Sequence, residues 1–376
     1  MEDTPMENGE TNEDSEVAPA LISVHPTQSS VAVAVGSDLR VFDLRGGCAV
    51  SLVDYSGSPL HKDSIRTIRY GADGKLFVSA GDDKTVKIWS TESWRCITTV
   101  CSEKRVSAVA ISSDGSYVCF ADKFGVVWVV DVDLSDGNQD FVDKKAAPLL
   151  SHYCSIITSL VTVFPKKPLD GAHEIQSFSL GHTEFVSCLA FVCTQECPQG
   201  FLVSGSGDST VSNRNNSWSL NCFHMHLVYG LLESNGIEEC HGAVTDLYTI
   251  PDSTLVAVAV QRQVSIFWIL SLLSLQGIIL LSCDLSAKTL HVAKVVSIEG
   301  DAFIPTSLGT SLSSGLLWMV TGASNLHDSQ YPCVARVKVI SGVKETSPDS
   351  VEHGPIVLKD AEIPGGEKLL QKLQRL

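Results

Sequence analysis

Two stretches of the sequence carry side chains suited to a metal ion. Cys222, His224 and His226, spaced by single residues, precede Cys240-His241 and offer thiolate and imidazole donors of the kind zinc takes. Cys193 and Cys197 add two thiols upstream. Neither set shows the spaced ligand pairs on a knuckle or helix from which structural zinc sites are built. The expectation is therefore no metal, with Cys193 and Cys197 in a surface loop before Pro198. For nucleophilic or acid–base chemistry the chain offers scattered His, Ser and Asp residues. No nucleophile elbow, phosphate-cradling glycine loop or dinucleotide fingerprint accompanies them. Neither catalysis nor a cofactor is expected.

The elements that position these side chains recur along the chain. His61 to Ser90 is followed by a similar stretch from Arg105 to Asp131, and Asp73-Gly74 returns as Asp114-Gly115, a separation of 114 − 73 = 41. A period of that size, with short strands and a turn in each unit, is that of a propeller blade. In the first unit Ile65, Ile68 and Tyr70 read as an inner strand, Asp73-Gly74 as a tight turn, Leu76–Ala80 as a second strand, Gly81–Lys84 as another turn and Val86–Trp89 as a third strand. His61, Ser79, Asp83 and Trp89 stand where WD repeats place a hydrogen-bonded tetrad, and His182, Ser204 and Asp208 repeat three of its members. Buried polar groups that satisfy one another are structural. The fold class expected is all-β, a seven-bladed WD-repeat propeller, with further blades at 31–43, 181–211, 254–268 and 315–340 and the fourth between Asp131 and Gly181.

The pattern breaks twice. His152 to His182 spans 182 − 152 = 30 residues, too few for a full fourth blade, and SHYCSIITSL runs straight into VTVFPKKPLDG without a turn. After Val211 the segment SNRNNSWSLNCFHMHLVYG, rich in Asn and lacking alternation, argues against a strand and leaves the fifth blade disrupted. A splice variant or an incomplete gene model would produce both breaks, which transcript sequencing would test.

Composition narrows the function classes. The chain has 376 residues, is 44% hydrophobic and 19% charged, and carries a formal charge of −16, so it has material for a core but no basic surplus with which to grip phosphates alone. Residues 1–18 form an acidic segment with seven carboxylates up to Glu16 and no Lys or Arg, expected to be a disordered tail. No signal peptide is legible at the start, and an intracellular protein is expected. The cysteines are expected to be reduced, with Cys48, Cys119 and Cys188 buried as small apolar residues. Gln263–Cys283 carries no charge and approaches the length of a membrane span, but Ser271, Ser274, Gln276 and Gly277 interrupt it. Two strands, Val264–Ile269 and Ile278–Cys283, fit better, and no membrane partner is expected. The propeller is expected over 19–345, followed by a tail, 346–376, ending in a short amphipathic helix with Leu369, Leu370, Leu373 and Leu376 on one face.

Three segments carry a specific likeness: Phe120–Asp131, Ile175–Phe191, with its Leu-Gly-His-Thr-Glu-Phe-Val-Ser run, and Ser204–Val211. They resemble the WD-repeat, non-catalytic subunit of eukaryotic tRNA (guanine-N7)-methyltransferase. That resemblance implies a nuclear protein that forms a heterodimer with the catalytic subunit and supports N7-methylguanosine formation in the tRNA variable loop, touching tRNA only through the complex. It implies a partner-facing rim with Lys104, Arg105, Asp122 and Lys123. It also implies an Asp-Arg-Asp-x-Lys-Ile-Arg contact loop in the fourth blade, which this sequence lacks between Leu160 and Val161. The rival expectation is a generic WD-repeat scaffold such as a ubiquitin-ligase substrate receptor.

Overall fold

The computed structural model describes residues 20–54, 59–132, 147–151, 162–166, 174–179, 182–194, 200–215, 223–226, 242–262, 277–284, 289–297, 304–311, 316–324, 333–343 and 358–359. Their regular elements are strands. The first antiparallel sheet contains β1 (Leu21–Val24), β2 (Ser30–Val35), β3 (Asp38–Asp43) and β4 (Cys48–Val50). The second has β5 (Ile65–Tyr70), β6 (Leu76–Gly81), β7 (Thr85–Ser90) and β8 (Cys96–Cys101), and the third β9 (Val106–Ile111), β10 (Tyr117–Asp122), β11 (Val126–Asp131) and β12 (Ala147–Ser151). A two-stranded sheet, β13 (Thr162–Lys166) with β14 (Glu174–Ser179), comes next. Three further four-stranded sheets follow. They are β15 (Val186–Val192), β16 (Phe201–Ser206), β17 (Thr210–Asn215), β18 (Phe223–His226); β19 (Gly242–Thr249), β20 (Leu255–Arg262), β21 (Gly277–Asp284), β22 (Thr289–Ser297); and β23 (Ile304–Thr310), β24 (Leu317–Ser324), β25 (Cys333–Ile340), β26 (Leu358–Lys359).

Each first strand lies innermost, and β15, β19, β23, β1, β5 and β9 sit side by side in that order. This is a β-propeller, in which the sheets meet face to face, so a middle strand is buried on both faces. The physical consequence is a continuous apolar run. In β20, Val256, Val258 and Val260 pack toward the fifth sheet while Leu255, Ala257 and Ala259 pack toward the seventh. In β6, Phe77 faces the first sheet, and Leu76, Val78 and Ala80 face the third. Burying a side chain the size of Trp89 or Phe77 removes it fully from water, a gain of roughly 2–3 kcal/mol each.

The last sheet packs directly against the first, where Trp318, Val320, Ala335 and Val337 meet Ile22, Val24, Val31 and Val33. A repeated polar device reinforces this lateral packing. Each inner strand from β15 onward carries a bulge near its start, between Val186 and Cys188, Val244 and Asp246, and Pro305 and Ser307. The bulged residue points a hydroxyl across the seam. Ser187 Oγ donates to Val244 O at 2.5 Å, Thr245 Oγ1 to Pro305 O at 2.6 Å, and Thr306 Oγ1 to Ala20 O at 2.6 Å. Asp246 adds a second tie by accepting the Leu308 N–H at 2.7 Å and the Leu247 N–H at 2.9 Å. Burial pushes this carboxyl up, opposed by Arg69 and by those donors.

On the side of the fifth sheet that faces away from the sixth, apolar groups stay uncovered. Cys188 and Ala190 pack into the seam with the sixth sheet, so the alternate residues Leu189 and Phe191 point away from it and are 48% and 46% exposed. The bulged Ser107 of β9 is exposed and donates only to Ala121 O of its own sheet among the described residues.

Several expectations are corrected or refined. A strand does continue past Val211. β17 runs through Asn213 and Asn215 with β16 on one edge and β18 on the other, because ladders on both sides satisfy the backbone whatever the local propensity. The fifth sheet is thus four-stranded, and its disruption is one of side-chain pattern. β21 pairs with β20 and β22, while Val264–Ile269 falls outside the described residues. Leu358–Lys359, expected to belong to a C-terminal tail, pairs with β25 as an outer strand, and the expected helix lies outside the described residues. Of the three thiols expected to be buried, Cys48 is exposed on the outermost strand β4 and Cys119 and Cys188 are half-buried, while two others, Cys96 and Cys283, are buried. Burial raises the Cys283 thiol to about 12, so it stays protonated. No described helix is long and apolar enough to cross a membrane.

Candidate partner-binding face

The first residues of the inner strands and the loops after the second strands meet at one end of the ring. Ile65 donates its N–H to Gly36 O of the first sheet, and Ser102, on the way to the third sheet, donates to Lys84 O of the second, which links these loops from sheet to sheet, while Lys123 donates to Arg105 O within the third sheet's own end. Their shape is set by the buried tetrad. Trp89 Nε1 donates to Ser79 Oγ at 3.0 Å, Ser79 Oγ lies 2.8 Å from His61 Nε2, and His61 Nδ1 lies 2.9 Å from Asp83 Oδ2. Asp83 also accepts the N–H and hydroxyl of Thr85, which forces Lys84 between them to a φ of 63°. Burial would raise the Asp83 carboxyl, but the His61 ring and Thr85 outweigh it and hold the group at about 2. With every member engaged inside the sheet, the tetrad has no free nucleophile.

The fifth sheet repeats the arrangement with one member changed. His182 Nε2 lies 2.8 Å from Ser204 Oγ and Nδ1 2.9 Å from Thr210 Oγ1, with Asp208 Oδ2 at 3.3 Å. Asp208 accepts the Thr210 N–H and hydroxyl, and Ser209 takes a φ of 65°, the counterpart of Lys84. Its carboxyl is held at about 2, since the bonds from Thr210 and Thr183 exceed the opposing effect of burial. Arg214 pairs with Leu202 where Trp89 pairs with Phe77, so the indole is missing from this set. All seven residues expected to be structural by the repeat pattern fall into these two clusters.

The four rim residues divide. Lys104, Arg105 and Lys123 are exposed on adjoining loops. Asp122 is 5% exposed, and its carboxylate accepts the N–H groups of Phe124 and Val126 and the Trp128 indole N–H. Its place on the partner-facing rim is therefore corrected. As the last residue of β10 it turns inward to shape the loop that presents its neighbours. Phe124 projects there instead, 58% exposed, with Lys104 Nζ 5.4 Å and Lys123 Nζ 5.1 Å from its ring centroid. Sequence reasoning missed Phe124 because an isolated aromatic in a loop has no period to betray it. It also missed the buried Lys87–Asp54 pair at 2.5 Å, whose partners lie 33 positions apart.

Among the described residues no group of three or more His, Cys, Asp or Glu could hold a metal ion. The Cys222–His226 and Cys240-His241 side chains, and Cys197, lie outside the described residues, while Cys193 is exposed.

The sequence matches the family model described as the tRNA methyltransferase TRM82 WD40 domain over residues 51–163 and 167–306, well over half of the chain. The chain belongs to this family. Relatives of the TRM82 type include the proteins named tRNA (guanine-N(7)-)-methyltransferase non-catalytic subunit wdr4 from Dictyostelium discoideum, 24% identical over 52% of this chain and 46% of that protein, and from Danio rerio, 31% identical over 52% and 48%. The Homo sapiens protein of the same name is 27% identical over 47% of this chain and 44% of its own length. This TRM82-type chain spans about half the length of the curated relatives it matches. Among solved structures, U3-55K superposes with a TM-score of 0.59 at 14% identity, covering 85% of this chain and 92% of that one. The WD40 repeats of RRP9 give 0.55 at 16% identity, covering 81% and 87%. These two likenesses establish the WD40 propeller fold alone.

Proposed function

We propose that this chain is a non-catalytic subunit of a tRNA (guanine-N7)-methyltransferase, holding the catalytic subunit on the loop face that carries Lys104, Arg105, Lys123 and Phe124 and thereby supporting N7-methylguanosine formation in the tRNA variable loop. The observation that carries the reading is the TRM82 family match over most of the ring. The chain itself performs no chemistry in this reading. The partner supplies the methyl transfer, and the propeller stabilises the partner's active form by binding it preferentially. An acidic rim on the catalytic subunit would complement the three cations, setting association rate and register more than raw affinity. The expected complex is a nuclear heterodimer, with tRNA reached through the partner.

The fourth-blade contact loop implied by the resemblance is absent from the sequence, which concentrates partner recognition on the third sheet. A splice variant or an incomplete gene model remains our reading of that absence. The decisive experiment is tRNA methylation by the catalytic subunit with and without this chain, paired with co-purification. Stimulation and a stable complex are the expected results. Recovery of cullin adaptors in place of a methyltransferase would overturn the reading in favour of a ubiquitin-ligase receptor, a role the family match does not favour.

A further inference from the structure

The basic, aromatic patch around Phe124 is anomalous on an acidic protein. Lys62, Lys84, Lys104, Arg105 and Lys123 are exposed at this end of the second and third sheets, against two exposed carboxylates, Asp63 and Glu103. The other charges nearby are engaged: Asp82 with Arg66 at 2.8 Å, Asp83 with His61, and Asp122 with its own loop. The sequence as a whole carries −16. Two ammonium groups flank an exposed phenyl ring, so the site offers an extended acidic peptide both ion pairs and an apolar contact.

The same chain carries such a peptide. Glu2, Asp3, Glu7, Glu10, Glu13, Asp14 and Glu16 occur without any Lys or Arg before Ala20. Ala20 enters β1 at the patch's end of the ring, since Leu21 pairs with Ala34, and the turn just beyond, at Gly36, accepts the Ile65 N–H beside Ser64. The inner strands β1, β5 and β9 are consecutive neighbours. Two steps between packed sheets amount to roughly 20 Å, and the six residues from Asp14 to Ala20 reach about 20 Å when extended. Glu13 and Asp14 are therefore within reach of the patch, Glu16, with about 13 Å of chain, reaches Lys84 on the second sheet one step away, and Glu2–Glu10 have chain to spare.

We infer that the acidic N-terminal segment, residues 1–16, docks on the Lys104–Arg105–Lys123–Phe124 patch of its own chain and must leave before any acidic partner surface or phosphate can take that place. Occupancy is a property of the isolated chain and holds whatever the partner proves to be, so its failure and the failure of the methyltransferase reading are separable.

Zero-length carbodiimide crosslinking of the full chain, read by peptide mass spectrometry, tests this directly. Links from Glu13, Asp14 or Glu16 to Lys84, Lys104 or Lys123 are expected, and they should fade as NaCl rises from about 0.05 M to about 0.5 M because the charges are exposed. A mixture of isotopically heavy and light chains should yield same-chain links. Mixed pairs would mean that a second copy fills the patch, and tail carboxylates linked only elsewhere or not at all would also overturn the inference. A second measurement uses the full chain with the seven acidic residues changed to Gln or Asn. A labelled synthetic peptide of residues 1–18 should bind it at least tenfold more tightly than it binds the unaltered chain, and equal binding to both would sink the proposal.

Discussion

At the scale of single residues, the two polar clusters differ in a way that stability measurements can resolve. Ser79 bridges a buried indole and a buried imidazole, so Ser79→Ala strands both and should cost on the order of 3 kcal/mol of unfolding free energy by urea denaturation. Ser204→Ala removes a bond to His182 alone at a half-buried site and should cost about 1 kcal/mol. Acid should act through the same clusters. Asp83 and Asp208 sit at about 2 against an ordinary 3.8. A depressed folded-state pKa adds stability that is present above the ordinary value and is lost as pH falls through the folded one. Denaturation midpoints taken from pH 7 to pH 2 should thus hold level to about pH 4 and then fall. Asp83→Asn should start lower at neutral pH and fall less steeply, and a parallel decline in both proteins would show that other groups govern acid unfolding.

At the scale of elements, the inner-strand bulges deserve separation from the apolar packing they accompany. Thr245→Val and Thr306→Val keep shape while deleting a hydroxyl that spans two sheets, so each should cost about 1 kcal/mol by chemical denaturation. Ser107→Ala provides an internal control. Its hydroxyl is exposed and stays within its own sheet, and the expected change is under about 0.5 kcal/mol. Equal losses at all three positions would mean that the inter-sheet reach of these hydroxyls contributes nothing. A related constraint falls on Gly81, where an added Cβ would stand 2.1 Å from the backbone oxygen of Ser64, in the turn where β5 begins. Backbone cannot yield there as a flexible side chain could.

At the scale of the whole molecule, lateral closure brings loops distant in sequence onto one face, and that face is where binding is expected to register. Lys104→Glu combined with Lys123→Glu reverses two exposed charges that make no ion pair among the described residues. The folded stability should therefore stay within about 0.5 kcal/mol. Complex formation with the catalytic subunit should weaken about tenfold or more, mainly through slower association and with a changed salt dependence. Surface-plasmon kinetics at two ionic strengths would check it, and unchanged kinetics would move the partner to another surface.

Much of this architecture was legible beforehand because a repeat imposes the same physical demands on each unit. The 41-residue return of Asp-Gly, the apolar middle strands and the His–Ser–Asp spacing follow from burying both faces of a sheet while satisfying the polar groups inside it. The recurring Ser or Thr near the start of the inner strands, as at Ser187 and Thr245, was equally present in the sequence. Its meaning depended on a carbonyl in the next sheet, some sixty positions away. Tertiary structure alone decided that Asp122 turns inward and Phe124 outward, since a loop has no period and its direction is set by whichever N–H groups the carboxylate can reach. Structure likewise decided that the Asn-rich stretch after Val211 forms a strand, because pairing along both edges outweighs the weak propensity of its residues.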